Sequence, residues 1–141
     1  MITLLTPFIL LDGQAKEAIT FYQSALGAEL LFVQTFGESP DTFDPPLTEE
    51  AKQRVAHSVL KVGEAELYVA DRLPEEPSRP GNSVSICLTT TDAEQAQMLY
   101  EALQRNGRVD APLQEVHFSP AYGIVTDAFG ITFQLFTKRK Q

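Results

Sequence analysis

The two histidines are the first candidates for chemistry, because imidazole carries protons near neutral pH and is a common metal ligand. His57 opens a strand-like stretch. His117 lies in "LQEVHF", which we predict to be the matching region of the second half of the chain, with Glu115 two residues before it on the same predicted strand face. If the three side chains converge, they form a two-histidine, one-carboxylate set of the kind that binds iron or zinc. The same groups could act as metal-free acids or bases, and a structural role stays open for each.

Composition limits the classes of partner. The formal charge is −8 at pH 7, which disfavours nucleic acid and anionic membranes, since both bind clustered Lys and Arg. No apolar run approaches the roughly 20 residues of a membrane-spanning helix. The single cysteine, Cys87, allows no intramolecular disulfide and is predicted to be a small buried side chain. We therefore predict a cytoplasmic protein that binds neither nucleic acid nor membrane.

The helix and strand patterns that would position these residues occur twice in the sequence. "DGQAKEAITFYQSALG" (12–27) and "DAEQAQMLYEALQRNG" (92–107) both begin with Asp, end with Gly and carry apolar residues at helical spacing. Asp12 is a predicted N-cap, and the second helix is predicted to begin with a capping box formed by Thr91 and Glu94 or by Asp92 and Gln95. Gly27 and Gly107 are predicted helix ends. A strand precedes each helix, and a second strand and then a β-hairpin follow it, with turns near Gly63 and at 127–130.

Each half therefore reads strand, helix, strand, strand, strand. We predict one α+β domain over 1–141, with module one at 1–72, a proline-rich linker at 72–81 and module two at 82–138. The paired βαβββ modules would form a curved mixed sheet with helices on the outer face and a trough on the other. An acidic insertion at 37–54 has no counterpart in module two and is either a mobile loop or a lid.

Strand alternation indicates which side chains line the trough. In "SVSICLT", Val84, Ile86 and Leu88 would face the helices, and the alternate Ser and Cys positions would face the trough. The same period of two applies to "ITFQLF" and "EAELYVA". A trough lined by polar and aromatic groups is a candidate small-molecule site, while a solvated face or a dimer surface are the alternatives. The candidate site residues are His57, Glu66, Tyr68, Ser85, Glu115, His117, Tyr122 and Gln134.

The layout, together with "ITFYQSALGAEL", "AHSVLKVGEAELYVAD" and "YGIVTDAFGITFQ", resembles the vicinal oxygen chelate superfamily. This superfamily includes glyoxalase I, bleomycin-resistance proteins and extradiol dioxygenases, and the chain is most similar to its PhnB-like branch. The resemblance implies paired βαβββ modules and a homodimer. It fixes no single activity, because one fold hosts many functions. A methyltransferase activity finds no support, since the chain has no glycine-rich nucleotide loop.

The resemblance also implies where a metal would sit. Metal enzymes of the superfamily take His or Glu ligands from the first and last strands of each module. Carried over, these positions fall near Thr6 or Pro7, at Ser85, at Gln134, and at Glu66 or Tyr68, the register being open between the last two. At most one of the four is a strong ligand for a divalent ion.

Two functions follow as hypotheses. The first is a binding or sequestering protein that holds a small organic molecule in the trough without a cofactor, as the resemblance to metal-free bleomycin-resistance proteins implies. The second is an enzyme with a rearranged metal or acid–base site built from His57, Glu66, Glu115 or His117. A displaced divalent metal belongs to this second hypothesis, and a structural dimer without a ligand is the third alternative.

Overall fold

The computed structural model describes residues 1–139, which divide into two compact units. Unit 1 spans Met1–Arg79 and unit 2 begins at Pro80, so the boundary lies inside the predicted linker. Unit 1 contains β1 (Phe8–Leu11), α1 (Ala15–Leu26), β2 (Glu29–Thr35), a short α2 (Glu49–Gln53), β3 (Val55–Val62) and β4 (Ala65–Asp71). Unit 2 contains β5 (Ile86–Thr90), α3 (Ala93–Leu103), β6 (Arg108–Val116), β7 (Ser119–Thr126) and β8 (Thr132–Thr137). The predicted α+β class of paired βαβββ modules is confirmed.

Each unit forms its own four-stranded mixed sheet. The strand orders are β1-β4-β3-β2 and β5-β8-β7-β6. The first and last strands of each unit pair in parallel, and all other pairs are antiparallel. This is the arrangement expected when a strand–helix crossover is combined with hairpins.

One face of each sheet packs against its helix. The buried side of α1 consists of Ala15, Ala18, Ile19 and Tyr22, and the aliphatic residues of β3 and β4 opposite it are also buried. In unit 2, Ala96 and Leu103 of α3 are buried together with Ala121, Val125, Phe133 and Leu135. Alternation predicted these faces correctly for β4 and β8. It was wrong at Val84, which is 85% exposed because β5 begins only at Ile86.

The start of α1 differs from the prediction. Asp12 is not its N-cap, and the cap position is Gln14, which makes no side-chain cap bond. The buried carboxylate of Asp71, at the end of β4, caps α1 instead. Its Oδ1 accepts from Gly13 N at 2.8 Å and from Ala15 N at 3.0 Å. Its Oδ2 accepts from Val55 N at 3.0 Å. One side chain therefore accepts hydrogen bonds from the backbone N–H groups at the start of α1 and at the first residue of β3.

The ends of the helices are set by different means. Gly27 closes α1 in the left-handed region (φ 65°), as predicted. Asp92 caps α3 by accepting from Glu94 N at 2.9 Å, also as predicted. Gly107 does not end α3, because the helix stops at Leu103. It lies instead where the chain passes close to the end of β7.

The insertion at 37–54 contains structure that periodicity did not reveal. Thr48 caps α2 by accepting from Ala51 N at 3.1 Å. Arg54, which follows α2, donates to Asp12 Oδ1 at 2.8 Å and to Glu50 Oε1 at 3.2 Å. These ion pairs hold the insertion helix beside the start of α1.

Within residues 1–139, none of the helices combines the length and apolar character needed to cross a membrane.

Candidate functional site

The exposed side of the unit 1 sheet carries a group of rings around His57. The ring centroid of His57 lies 4.9 Å from Tyr68, edge to face, 6.0 Å from Phe8 and 6.2 Å from Phe32. Each residue comes from a different strand, so the group, here called the His57 cluster, crosses the whole sheet. The imidazole of His57 is therefore surrounded by hydrocarbon edges and faces.

Glu66 lies on the same sheet face as Tyr68, because the two are separated by two residues of β4. It stands opposite Lys61 of β3. The structure thus brings His57 and Tyr68 into contact and places Glu66 one same-face position further along the strand. Phe8 and Phe32 were missed as candidates. Alternation along "TPFILL" and "ELLFVQTF" was the signal that could have found them.

In unit 2, three predicted site residues are joined by hydrogen bonds. Tyr122 Oη donates to Gln134 Oε1 at 2.5 Å, and Gln134 Nε2 donates to Ser85 Oγ at 3.0 Å. The three groups come from β7, from β8 and from the residue before β5. They form a polar row across the sheet on the side opposite α3. Strand alternation had placed Ser85 and Gln134 on one face, and the hydrogen bond between them agrees with that placement. A role of the three residues in ligand binding stays a prediction.

Aromatic rings border this row. Phe118 contacts the Tyr122 ring edge to face at 4.9 Å and stacks on Phe136 at 6.1 Å with an interplanar angle of 9°. Tyr122 and Phe136 are also register partners on β7 and β8. We call the surface formed by Ser85, Cys87, Phe118, Tyr122, Gln134 and Phe136 the Gln134 face. It combines a hydrogen-bonding row with a wall of rings, as small-molecule sites usually do.

Glu115 and His117 lie on the surface. Glu115 is exposed and forms an ion pair with Arg139 at 3.3 Å. His117 is exposed and follows the end of β6, in the turn before β7, where its ring contacts Phe118 at 5.0 Å. Glu115 is therefore open to solvent and paired with a cation, whereas the acid–base hypothesis needs a group enclosed in a pocket.

The parallel pairs fix which positions of the two units correspond. β1 and β4 end in register with each other, and so do β5 and β8. Counting back from these ends, Tyr68 corresponds to Gln134 on the last strands, and Thr6 corresponds to Ser85 on the first. The register left open in the sequence is therefore resolved in favour of Tyr68, and Glu66 is displaced by one same-face position.

The two histidines do not occupy matching positions. On the strand next to the last strand, the residue that corresponds to His57 is Tyr122. His117 lies in the β6–β7 turn instead. The expectation that the histidines lie in matching parts of the modules was wrong, because β6 runs from Arg108 to Val116 and leaves His117 outside the sheet.

These positions do not fit a divalent metal. Thr6, Tyr68, Ser85 and Gln134 supply no carboxylate and no imidazole, the groups that bind zinc and similar ions in proteins. The carbonyl oxygen of Gln134, which is the best donor atom among them, already accepts from Tyr122. Within residues 1–139, neither unit brings three or more His, Cys, Asp or Glu side chains into an arrangement that could hold a metal ion.

Cys87 was predicted to be buried and is exposed. It is the register partner of Gln134 in the parallel β5–β8 pair, so its side chain lies on the Gln134 face and not in the core. The general tendency of free cysteine to be buried is overridden by the strand alternation. The thiol thus stands beside the polar row.

We expect Cys87 to react with a thiol reagent such as DTNB in the folded protein nearly as fast as in urea, because a thiol that is already accessible gains little from unfolding. Absorbance at equal protein concentration in buffer and in denaturant measures this directly, and no other cysteine contributes. Reaction that begins only on unfolding would contradict the exposure. A compound bound on the Gln134 face should slow the native reaction.

Two tandem βαβββ units with mixed sheets define a protein of the glyoxalase type, and the chain belongs to the Glyoxalase/Bleomycin resistance protein/Dioxygenase superfamily, whose family model matches residues 4–135. The resemblance inferred from the sequence is confirmed. The chain is 25% identical over 143 residues to Protein YjdN of Escherichia coli (strain K12), with 97% of each chain covered.

Solved structures with this fold include protein PA1353 from Pseudomonas aeruginosa. It has a TM-score of 0.86 and 27% identity, with 99% of this chain and 100% of that chain covered. A second is described as a putative 3-demethylubiquinone-9 3-methyltransferase, PhnB protein, from Bacillus cereus. It has a TM-score of 0.78 and 20% identity over 96% and 99% of the two chains, a likeness that concerns the fold alone.

Proposed function

We propose that the protein binds a small organic molecule on the Gln134 face without a resident metal. The observation that supports this most directly is the row Tyr122–Gln134–Ser85. In this row, Ser85 and Gln134 hold the positions that the family resemblance assigns to metal ligands, and both are uncharged and hydrogen-bonded to each other. Beside it, the half-exposed ring of Phe118 and the ring of Phe136 offer apolar area to a ligand.

The enzymatic alternative, with a site built from His57, Glu66, Glu115 or His117, stays a prediction. The contacts of these residues favour other roles: His57 is packed among rings, and Glu115 pairs with Arg139 at the surface. Homodimer formation and a cytoplasmic location also remain part of the proposal. Size-exclusion chromatography with light scattering would test the dimer.

To test this proposal, small aromatic compounds are added to ¹⁵N-labelled protein, and the amide chemical shifts are followed by two-dimensional NMR. We expect shifts to concentrate on β7 and β8. Phe136→Ala should weaken binding about tenfold or more, since an aromatic pair and its buried area are lost. Met98→Ala is the matched control, because Met98 is 70% exposed on α3 and should leave binding unchanged.

Elemental analysis of protein purified without a metal-affinity tag completes the test. We expect metal well below one equivalent and no rise in melting temperature on adding Zn, Mn, Ni or Fe(II), since a bound ion stabilises by mass action. Stoichiometric metal that is lost in His57→Ala or His117→Ala would overturn the metal-free proposal and favour the enzyme.

A further inference from the structure

The charge and the hydrogen-bond donors of the Gln134 face indicate which kind of ligand it suits. The six residues that define it are all uncharged at neutral pH, and His117 meets only the border of the face, where its ring contacts Phe118. A charged ligand group placed on it would lose water without gaining an opposite charge. The face therefore suits a neutral molecule.

The polar row leaves donors, not acceptors, in need of a partner. Tyr122, Gln134 and Ser85 together carry four polar hydrogens, one on each hydroxyl and two on the amide. Two of these are used inside the row. The two that remain are the second amide hydrogen of Gln134 and the hydroxyl hydrogen of Ser85. Ser85 and Gln134 are half-buried, so water can meet these hydrogens in the free protein. Once a ligand covers the row and excludes that water, a donor left unmet costs more than an unused second lone pair on an oxygen that already accepts.

This balance does not depend on how the Gln134 amide is oriented. If the amide were turned over, Ser85 would donate to its oxygen and its nitrogen would donate to Tyr122. The free hydroxyl hydrogen would then be that of Tyr122, and the free amide hydrogen would remain. In both orientations the row presents one N–H and one O–H to whatever covers it.

The rings add a second requirement. Phe118 lies nearly parallel to Phe136, and Tyr122 meets Phe118 edge-on. A flat molecule can continue such a stack with an offset face, as aromatic pairs prefer.

We propose that the ligand is a neutral, planar organic molecule whose carbonyl-type oxygen accepts from the free amide hydrogen of Gln134 and from the free hydroxyl hydrogen of the row. In the amide orientation of this structure that hydroxyl is Ser85. This inference rests on the proposed function, because it specifies the chemistry of the same face. It assigns Ser85 and Gln134 as the residues that determine specificity and the rings as a general platform.

Three compounds of nearly equal shape test it. Acetophenone carries the neutral acceptor, isopropenylbenzene replaces the carbonyl oxygen by CH₂, and benzoate adds a negative charge. Titrations followed by NMR give each dissociation constant. We expect acetophenone to bind about three- to tenfold more tightly than isopropenylbenzene, the effect of one neutral hydrogen bond. Benzoate should bind more weakly than acetophenone.

Ser85→Ala should remove most of the advantage of acetophenone and leave isopropenylbenzene unchanged. Ser83→Ala is the matched control, since Ser83 is exposed and lies outside the strand. Equal binding of acetophenone and isopropenylbenzene, or tighter binding of benzoate, would overturn the acceptor inference while keeping the proposed function. If none of the three shifted signals on β7 or β8, the proposed function itself would fail.

Discussion

Asp71→Ala is expected to lower the free energy of unfolding by about 3 kcal/mol or more, and the melting temperature by roughly 10 °C. Asp71 is only 4% exposed, and its two oxygens accept from the backbone N–H groups of Gly13, Ala15 and Val55. Alanine leaves all three donors unmet at the junction of α1, β3 and β4, and a buried donor without a partner costs about 1–3 kcal/mol.

Two further variants test whether the loss of stability comes from the three hydrogen bonds that Asp71 accepts. Asp71→Asn keeps an oxygen for Gly13 and Ala15 but turns an NH₂ group toward Val55 N–H, so an intermediate loss is expected. Asp92→Ala removes a capping carboxylate from α3 that accepts a single, exposed bond and should cost about 1 kcal/mol. Urea unfolding of the four proteins measures the order. Equal losses for Asp71→Ala and Asp92→Ala would show that the three-donor arrangement contributes nothing of its own.

Gly107→Ala is expected to be nearly as damaging, by about 3 kcal/mol. A Cβ atom at this position would stand 2.2 Å from Thr126 O and 2.9 Å from backbone atoms of Asp127. Neither neighbour is a side chain that could turn away. The chain between α3 and β6 would have to move from the end of β7, and the β6–β7 pairing with it.

Gly81→Ala is the matched control. Gly81 has an ordinary backbone conformation, and nothing lies within 4 Å of an added Cβ. A change within about 0.5 kcal/mol is expected there. Thermal unfolding of both variants, with the β6–β7 amide signals followed by NMR, distinguishes close packing from glycine's general flexibility. A Gly107→Ala protein as stable as Gly81→Ala would contradict the close approach.

Local patterns predicted the elements that depend on local physics. Gly27 could be recognised as a helix end, and the turns at Gly63 and 127–130 as hairpins, because the residue types that tolerate such backbone are few. The faces of β4 and β8 followed from alternation. Two members of the candidate site, Ser85 and Gln134, were placed on one face for the same reason.

The errors concern partners that lie far apart in the sequence. Asp12 looked like the cap of α1, yet the capping group is Asp71, 56 residues from Ala15. Nothing in the pattern of β4 distinguishes Glu66 from Tyr68 as the last-strand position until the pairing with β1 is known. The burial of Cys87 was predicted from the average behaviour of cysteine. Its position on the strand is more informative about burial than its residue type.

The buried carboxylate of Asp71 also implies that equivalent strands of the two units cannot be exchanged. Thr137 stands at the corresponding position of unit 2, and Pro120, which has no N–H, stands where Val55 donates in unit 1. A hybrid with β8 in place of β4 would leave the backbone N–H groups of Gly13, Ala15 and Val55 without an acceptor. The reverse hybrid would bury a negative charge beside a proline. The two units share one topology. In each of them, the residue at the end of the last strand suits the backbone groups around it and no longer suits those of the other unit.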